Sequence, residues 1–155
     1  FVLNDHHGQP KTLQSYQGKV VLLFFGFTHC PDVCPTSLFK LKQAMDKLGA
    51  DASQVQVLFV TLDPNRDTPE KLAQYVPAFH PSFVGLSADE AQTAKVAADF
   101  KVVYSKQNEG SKNYTLDHTA YVYVYDKKSN LRLFYRPDSN TVDQLVQDIK
   151  TLLKG

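Results

Sequence analysis

The chain has 155 residues, of which 43% are apolar and 21% charged, a composition that excludes a disordered segment. This length buries a sizeable core without disulfide or metal staples. The formal net charge is +1, which excludes the broad basic excess of a nucleic-acid binder.

Residues 1–13 read as a hairpin with its turn near Gly8. Residues 20–25 are an unbroken apolar run of strand length, suited to a central strand buried on both faces. The run is far too short to cross a bilayer, which takes about 20 apolar residues. Residues 26–35 form a loop dense in breakers and reactive side chains. After it, Leu38, Leu41, Met45 and Leu48 recur at helical spacing, with Gly49 as the stop. Residues 55–62 are a second strand of the buried kind. Thr68-Pro69-Glu70 is a helix start, with a cap residue, a proline at the first helical position and an acid at the positive helix end. Leu72, Tyr75, Val76 and Phe79 form the apolar stripe of that helix, and Pro81 lies beyond it.

Residues 82–86 are a short strand. Ser87 and Glu90 have capping-box spacing, and Ala91, Ala94, Ala97 and Phe100 follow on one face. Residues 105–117 are polar and aperiodic, a loop long enough to carry function. Residues 120–125 and 131–136 form a hairpin around residues 127–130. Thr141 and Gln144 again have capping-box spacing, and Val142, Leu145, Val146, Ile149 and Leu152 make a final amphipathic helix.

The order is a hairpin followed by β-α-β-α-β-α-β-β-α. With no repeat, low-complexity tract or linker, the expectation is one domain over residues 1–155. Strands alternating with helices predict a sheet covered on both faces. Strands 20–25, 55–62 and 120–125 are expected to be neighbours in it. The fold class is α/β, a thioredoxin-like three-layer fold with an N-terminal hairpin and a helix-strand insertion at about residues 68–86. Fold analogy alone carries no function.

The chemistry concentrates in Gly26-Phe-Thr-His-Cys-Pro-Asp-Val-Cys-Pro35, at the exit of the first buried strand and just before a helix. Sites in open α/β sheets gather at the carboxyl ends of strands. The only two cysteines of the chain, Cys30 and Cys34, are therefore either a redox pair or metal ligands. Residues four apart share a helix face, so the two sulfurs can meet. Three residues separate the cysteines, a wider loop than the two of ordinary thioredoxins and one that accommodates a metal. Thiolates are soft ligands that favour copper(I) or zinc.

A third ligand has to come from elsewhere, and His118 is the candidate. It stands just before residues 120–125, where thioredoxin-like oxidoreductases place a cis-proline facing the cysteine loop. No proline occurs between Pro81 and Pro137. His29 ranks second, because side chains of adjacent residues diverge. His6, His7 and His80 are read as solvated surface residues. In Leu62-Asp-Pro-Asn-Arg-Asp-Thr-Pro69, the structural reading outweighs acid–base chemistry: Asp63 starts a turn, Arg66 pairs with Asp67, and Thr68 caps the helix. Asp117 stands next to His118, where it can orient the imidazole.

These residues resemble the Sco family, also called SenC, of copper-binding assembly factors for cytochrome c oxidase. The resemblance covers nearly the whole chain. It rests on Gly18-Lys19-Val20-Val21-Leu22, the cysteine motif 26–35, the turn 62–69 and Asp117-His118-Thr119. It implies a copper site, Cu(I) or Cu(II), with Cys30, Cys34 and His118 on the family's ligand positions. It further implies a metallochaperone that delivers copper to the binuclear site of oxidase subunit II, or a thiol–disulfide oxidoreductase that reduces the cysteine pair of that subunit or of another extracytoplasmic protein. Another copper donor protein, a monomeric state, and a location at the periplasmic face of the bacterial inner membrane or in the mitochondrial intermembrane space belong to the same expectation. A chain starting at Phe1 rather than methionine adds the expectation of an apolar anchor of about 20 residues upstream. Two departures stand out. The turn Asp126-Lys-Lys-Ser-Asn130 lacks an expected glycine, and residues 105–113 are this chain's own.

Overall fold

The computed structural model describes residues 2–28, 33–100, 104–107, 115–118, 121–136 and 141–154, the side chains of 33–35, 104–107 and 115–118 excepted. Its centre is the run of residues that avoid water most strongly. Strand β3 (Val20–Gly26) and strand β4 (Val55–Thr61) are buried at every position and pair in parallel over their whole length. A strand buried on both faces has no polar face to present, which explains why neither alternates.

Strand β1 (Leu3–Asp5) and β2 (Pro10–Lys11) form the N-terminal hairpin, turning at Gly8 with φ of +81°. With β5 (Val84–Ser87), β8 (Val122–Tyr125) and β9 (Leu131–Tyr135) they complete a seven-stranded sheet of order β2-β1-β5-β4-β3-β8-β9. The expected neighbours β4, β3 and β8 are adjacent. Helix α1 (Val33–Leu48) connects β3 to β4 and ends at Gly49, whose φ of +59° suits glycine. Helix α4 (Val142–Lys154) packs against α1. Its capping box is made as expected: the Gln144 amide donates to Thr141 Oγ1 and the Thr141 amide to Gln144 Oε1, both at 3.1 Å.

The unit β3-α1-β4 and the unit β8-β9-α4 are the thioredoxin arrangement. The insertion between them is α2 (Pro69–Tyr75) and β5, followed by α3 (Glu90–Asp99). The Thr68 hydroxyl caps α2 by accepting the Lys71 amide at 3.3 Å. Phe24 and Phe25 are consecutive in β3 and so point to opposite faces. Phe59, the partner of Phe24, meets Tyr75 of α2, whereas Phe25 meets Phe100, just past α3. Both faces are therefore covered.

Four expectations need correction. Helix α3 is capped by Asp89, which accepts the Gln92 amide at 2.7 Å, and not by Ser87, which belongs to β5 and pairs with Asn4. Its buried face is accordingly Thr93, Val96 and Ala97, while Ala91 and Ala94 are exposed. Helix α2 ends at Tyr75, so Phe79 follows it in a turn. Residues 105–117 are not simply a loop: β6 (Tyr104–Gln107) pairs antiparallel with β7 (Thr115–His118), outside the main sheet.

Candidate metal centre

The local order starts where β3 ends. Phe27 is buried, and Thr28 is held through both of its polar groups by a single carboxylate 39 residues away. The Thr28 amide donates to Asp67 Oδ2 at 3.0 Å, and the Thr28 hydroxyl donates to Asp67 Oδ1. The Thr61 hydroxyl, at the end of β4, donates to Asp67 Oδ2 at 2.6 Å. Asp67 is only 1% exposed, so its carboxyl oxygens are satisfied by these donors. Thr61 Oγ1 also accepts the Asp63 amide at 3.0 Å, and the Leu62 amide donates to the Gly26 carbonyl at 2.7 Å. The exits of β3 and β4 are thereby laced together.

This settles the aspartate-rich turn. Arg66 pairs with Asp63, not with Asp67. Adjacent side chains diverge, while the Asp63 carboxylate lies within reach of the Arg66 guanidinium three residues on. Asp63 is thus engaged by Arg66, and Asp67 by the donors of Thr28 and Thr61.

Cys30 and His29 lie outside the described residues. Cys34 is the second residue of α1, because the helix begins at Val33 and takes in the last three residues of the motif; the expected loop over residues 26–35 is shorter than that. His118 closes β7, opposite Tyr104 of β6, and Asp117 stands opposite Ser105. Val122 pairs with Phe24 in antiparallel register, so β8 is entered at the carboxyl end of β3. His118 lies four residues before that entry. The segments carrying Cys34 and His118 thus adjoin the same end of β3, from which the cysteine motif departs. The positions of the sulfurs and of the His118 imidazole lie outside the described side chains. No group of three or more metal-capable side chains occurs among the described residues.

Of the remaining histidines, His6 and His80 are less solvated than expected. His6 Nδ1 accepts the Gly85 amide at 3.1 Å, tying the N-terminal hairpin turn to β5. Burial pushes the His6 imidazole below its ordinary value of 6.5, His7 beside it pushes the same way, and Asp5 opposes them. His80 accepts the Ser82 amide at 3.2 Å and stacks on Phe83. His7 is exposed.

A groove of about 560 Å³ opens next to the cysteine motif, lined by Thr28, Lys71, Gln74, Tyr75, Ala78 and Phe79. What sequence reasoning missed is the tie of Asp67 to Thr28 and Thr61, having paired Asp67 with Arg66. Thr28 was visible inside the motif and Asp67 on the neighbouring strand exit, but only the parallel register of β3 and β4 brings them together.

A profile of the SCO1/SenC family matches residues 1–154. The chain is 39% identical over 153 residues to the protein SCO2 homolog, mitochondrial, of Mus musculus, covering 97% of this chain and 60% of that protein. Among solved structures, it is similar to that of Bradyrhizobium japonicum ScoI with copper bound, at 39% identity and a TM-score of 0.90, with 99% of this chain and 97% of that one covered. The solution structure of apo Sco1 from Thermus thermophilus gives 47% identity and a TM-score of 0.88, covering 99% and 90%. A cysteine motif on the carboxyl end of a central parallel strand, a histidine four residues ahead of the antiparallel neighbour, and a match along the whole fold lead to one assignment: the chain belongs to the SCO1/SenC family.

Proposed function

We propose that this chain is one copper-binding domain that takes up a single copper ion as cargo through Cys30, Cys34 and His118, and delivers it to the binuclear copper site of cytochrome c oxidase subunit II. The observation that carries this reading is that the backbone segments of Cys34 and His118, two of the three proposed ligands, adjoin one end of β3. Cys34 is in the first turn of α1, and His118 ends the strand that leads to β8. The copper-bound Bradyrhizobium relative, alike over 99% of this chain, supports it. Two thiolates suit Cu(I), and an imidazole extends the set to Cu(II), so one site accepts either state. The reading carries with it a protein tethered to a membrane and facing the periplasm or the mitochondrial intermembrane space. No helix among the described residues is long and apolar enough to cross a membrane.

A second reading shares the same thiols. The positive end of a helix favours anions, and Cys34 sits at such an end. In this reading the reduced chain gives two electrons and two protons to a partner's disulfide. The partner leaves with two thiols and Cys30–Cys34 becomes the disulfide.

Copper titration of the reduced protein, with X-ray absorption, separates the readings. The expected result is one copper with two sulfur neighbours and one nitrogen neighbour. In His118→Ala the nitrogen is lost and Cu(II) is held poorly, and in Cys34→Ser binding falls further because a thiolate and the chelate go together. Equal copper in all three proteins moves the oxidoreductase reading to first place.

A further inference from the structure

We propose that Asp67 is a positioning residue for the cysteine motif, acting through Thr28 to set how closely Cys30 and Cys34 are held for copper or for a disulfide. This rests on the reading that those two cysteines form the working site. One buried carboxylate receives three donors, and they come from two strand exits. Two are the amide and hydroxyl of Thr28, two residues before Cys30, and the third is the hydroxyl of Thr61. A turn held for packing alone would be satisfied by the bonds within residues 61–67. Asp67 instead reaches across 39 residues to fix both polar groups of a single motif residue. The other end of the motif is fixed by α1, which begins at Val33. Both described flanks of the motif are thus fixed, and pre-organisation of this kind raises the effective concentration of paired thiols.

The chemistry tolerates a specific substitution. In Asp67→Asn the amide oxygen can keep the Thr28 amide and the Thr61 hydroxyl. The Thr28 hydroxyl can reverse to accept from the new NH₂ group, since a hydroxyl both donates and accepts. Asp67→Ala removes all three bonds. Thr28→Val removes one bond and keeps the side chain's shape.

The test is the thiol–disulfide equilibrium of the metal-free chain with glutathione. The reduced chain plus one glutathione disulfide gives the Cys30–Cys34 disulfide plus two glutathione thiols. Copper titration and thermal melting are run alongside. The expected result is an equilibrium constant about tenfold lower in Asp67→Ala, roughly threefold lower in Thr28→Val, and recovered to within about threefold of wild type in Asp67→Asn. Copper binding weakens in the same order, by roughly 10–100-fold in Asp67→Ala. Leu3→Ala, in β1 and also buried, lowers the melting temperature and leaves both readouts unmoved. A wild-type equilibrium in Asp67→Ala, or a shift shared with Leu3→Ala, overturns the proposal. Should Asp67→Ala fail to fold, Thr28→Val decides: an unchanged equilibrium there overturns it equally. If Cys30→Ser and His118→Ala leave copper binding intact while Asp67→Ala still moves the disulfide, the copper reading fails and the positioning role stands.

Discussion

Gly85 is where the inserted unit closes on the sheet, and Gly85→Ala measures how tightly. A methyl group built there would lie 3.1 Å from Leu72 Cβ, on the buried side of α2, and 3.3 Å from Val76 Cγ2, at the residue that caps it. Carbon atoms pack best at about 3.5–4.0 Å, so each contact is too short by a few tenths of an ångström. Leu72 Cβ is fixed to the helix backbone and cannot rotate away. Val76 is β-branched and stiff. Helix α2 must therefore back off the sheet by about half an ångström. Overpacking of this order costs about 2 kcal/mol, which lowers the melting temperature of a chain this long by roughly 4–8 °C. Chemical denaturation followed by circular dichroism reads it. Adding Val76→Ala relieves the second clash but not the first, since Leu72 Cβ remains, so the two substitutions couple favourably by about 0.5–1 kcal/mol. A Gly85→Ala loss below about 0.5 kcal/mol, within the range of ordinary surface changes, would refute this account of the insertion's packing.

Two further outcomes follow from the backbone and from a buried imidazole. Ser129 holds a φ of +65° in the β8–β9 turn, and Ser129→Gly should stabilise by about 0.5–1 kcal/mol, read as a higher denaturant midpoint. No gain there would mean that the Ser129 side chain offsets its backbone strain. His6 binds protons less readily folded than unfolded, so the unfolded chain takes up more protons as pH falls below 6.5. The His6 share of stability is therefore present above 6.5 and lost below it. Hydrogen exchange at the Gly85 amide should quicken between pH 7.5 and 5.5 once corrected for intrinsic rates, and His6→Gln should flatten that dependence; equal slopes would refute it.

The central strands were legible because burial on both faces leaves one reading of an apolar run, as at β3 and β4. Helix α4 was legible because cap and stripe agree. Helix α3 was not, for a local reason: Ser87 and Glu90 share capping-box spacing with Asp89 and Gln92. Only the pairing of Ser87 with Asn4 of β1 decides between them. The β6–β7 ribbon escaped because its strands pair with each other outside the main sheet and carry no apolar alternation. At the candidate site, residue types nominate Cys30, Cys34 and His118, and the backbone brings the segments of Cys34 and His118 to one end of β3. The Thr28–Asp67 tie was not legible, since a neighbour in sequence, Arg66, offered a nearer and incorrect partner for Asp67. The turn without glycine was legible as an anomaly, and Ser129 at positive φ is its structural counterpart.

Among the described residues the sheet has β2 and β9 at its edges, and they are protected in different ways. Strand β2 is two residues long and begins with Pro10, which has no amide proton to offer a neighbouring chain. Strand β9 is five residues long and exposes Leu131 and Phe134, the latter 55% accessible. Its safeguards are Arg132, paired with Asp126, and Arg136, whose guanidinium lies over the Tyr121 ring. Shape guards the first edge and charge the second. Salt screens charge and leaves shape untouched, so the resistance of this sheet to edge-to-edge association is unequal: the β9 side depends on ionic strength more than the β2 side, where Lys11 is the one charge.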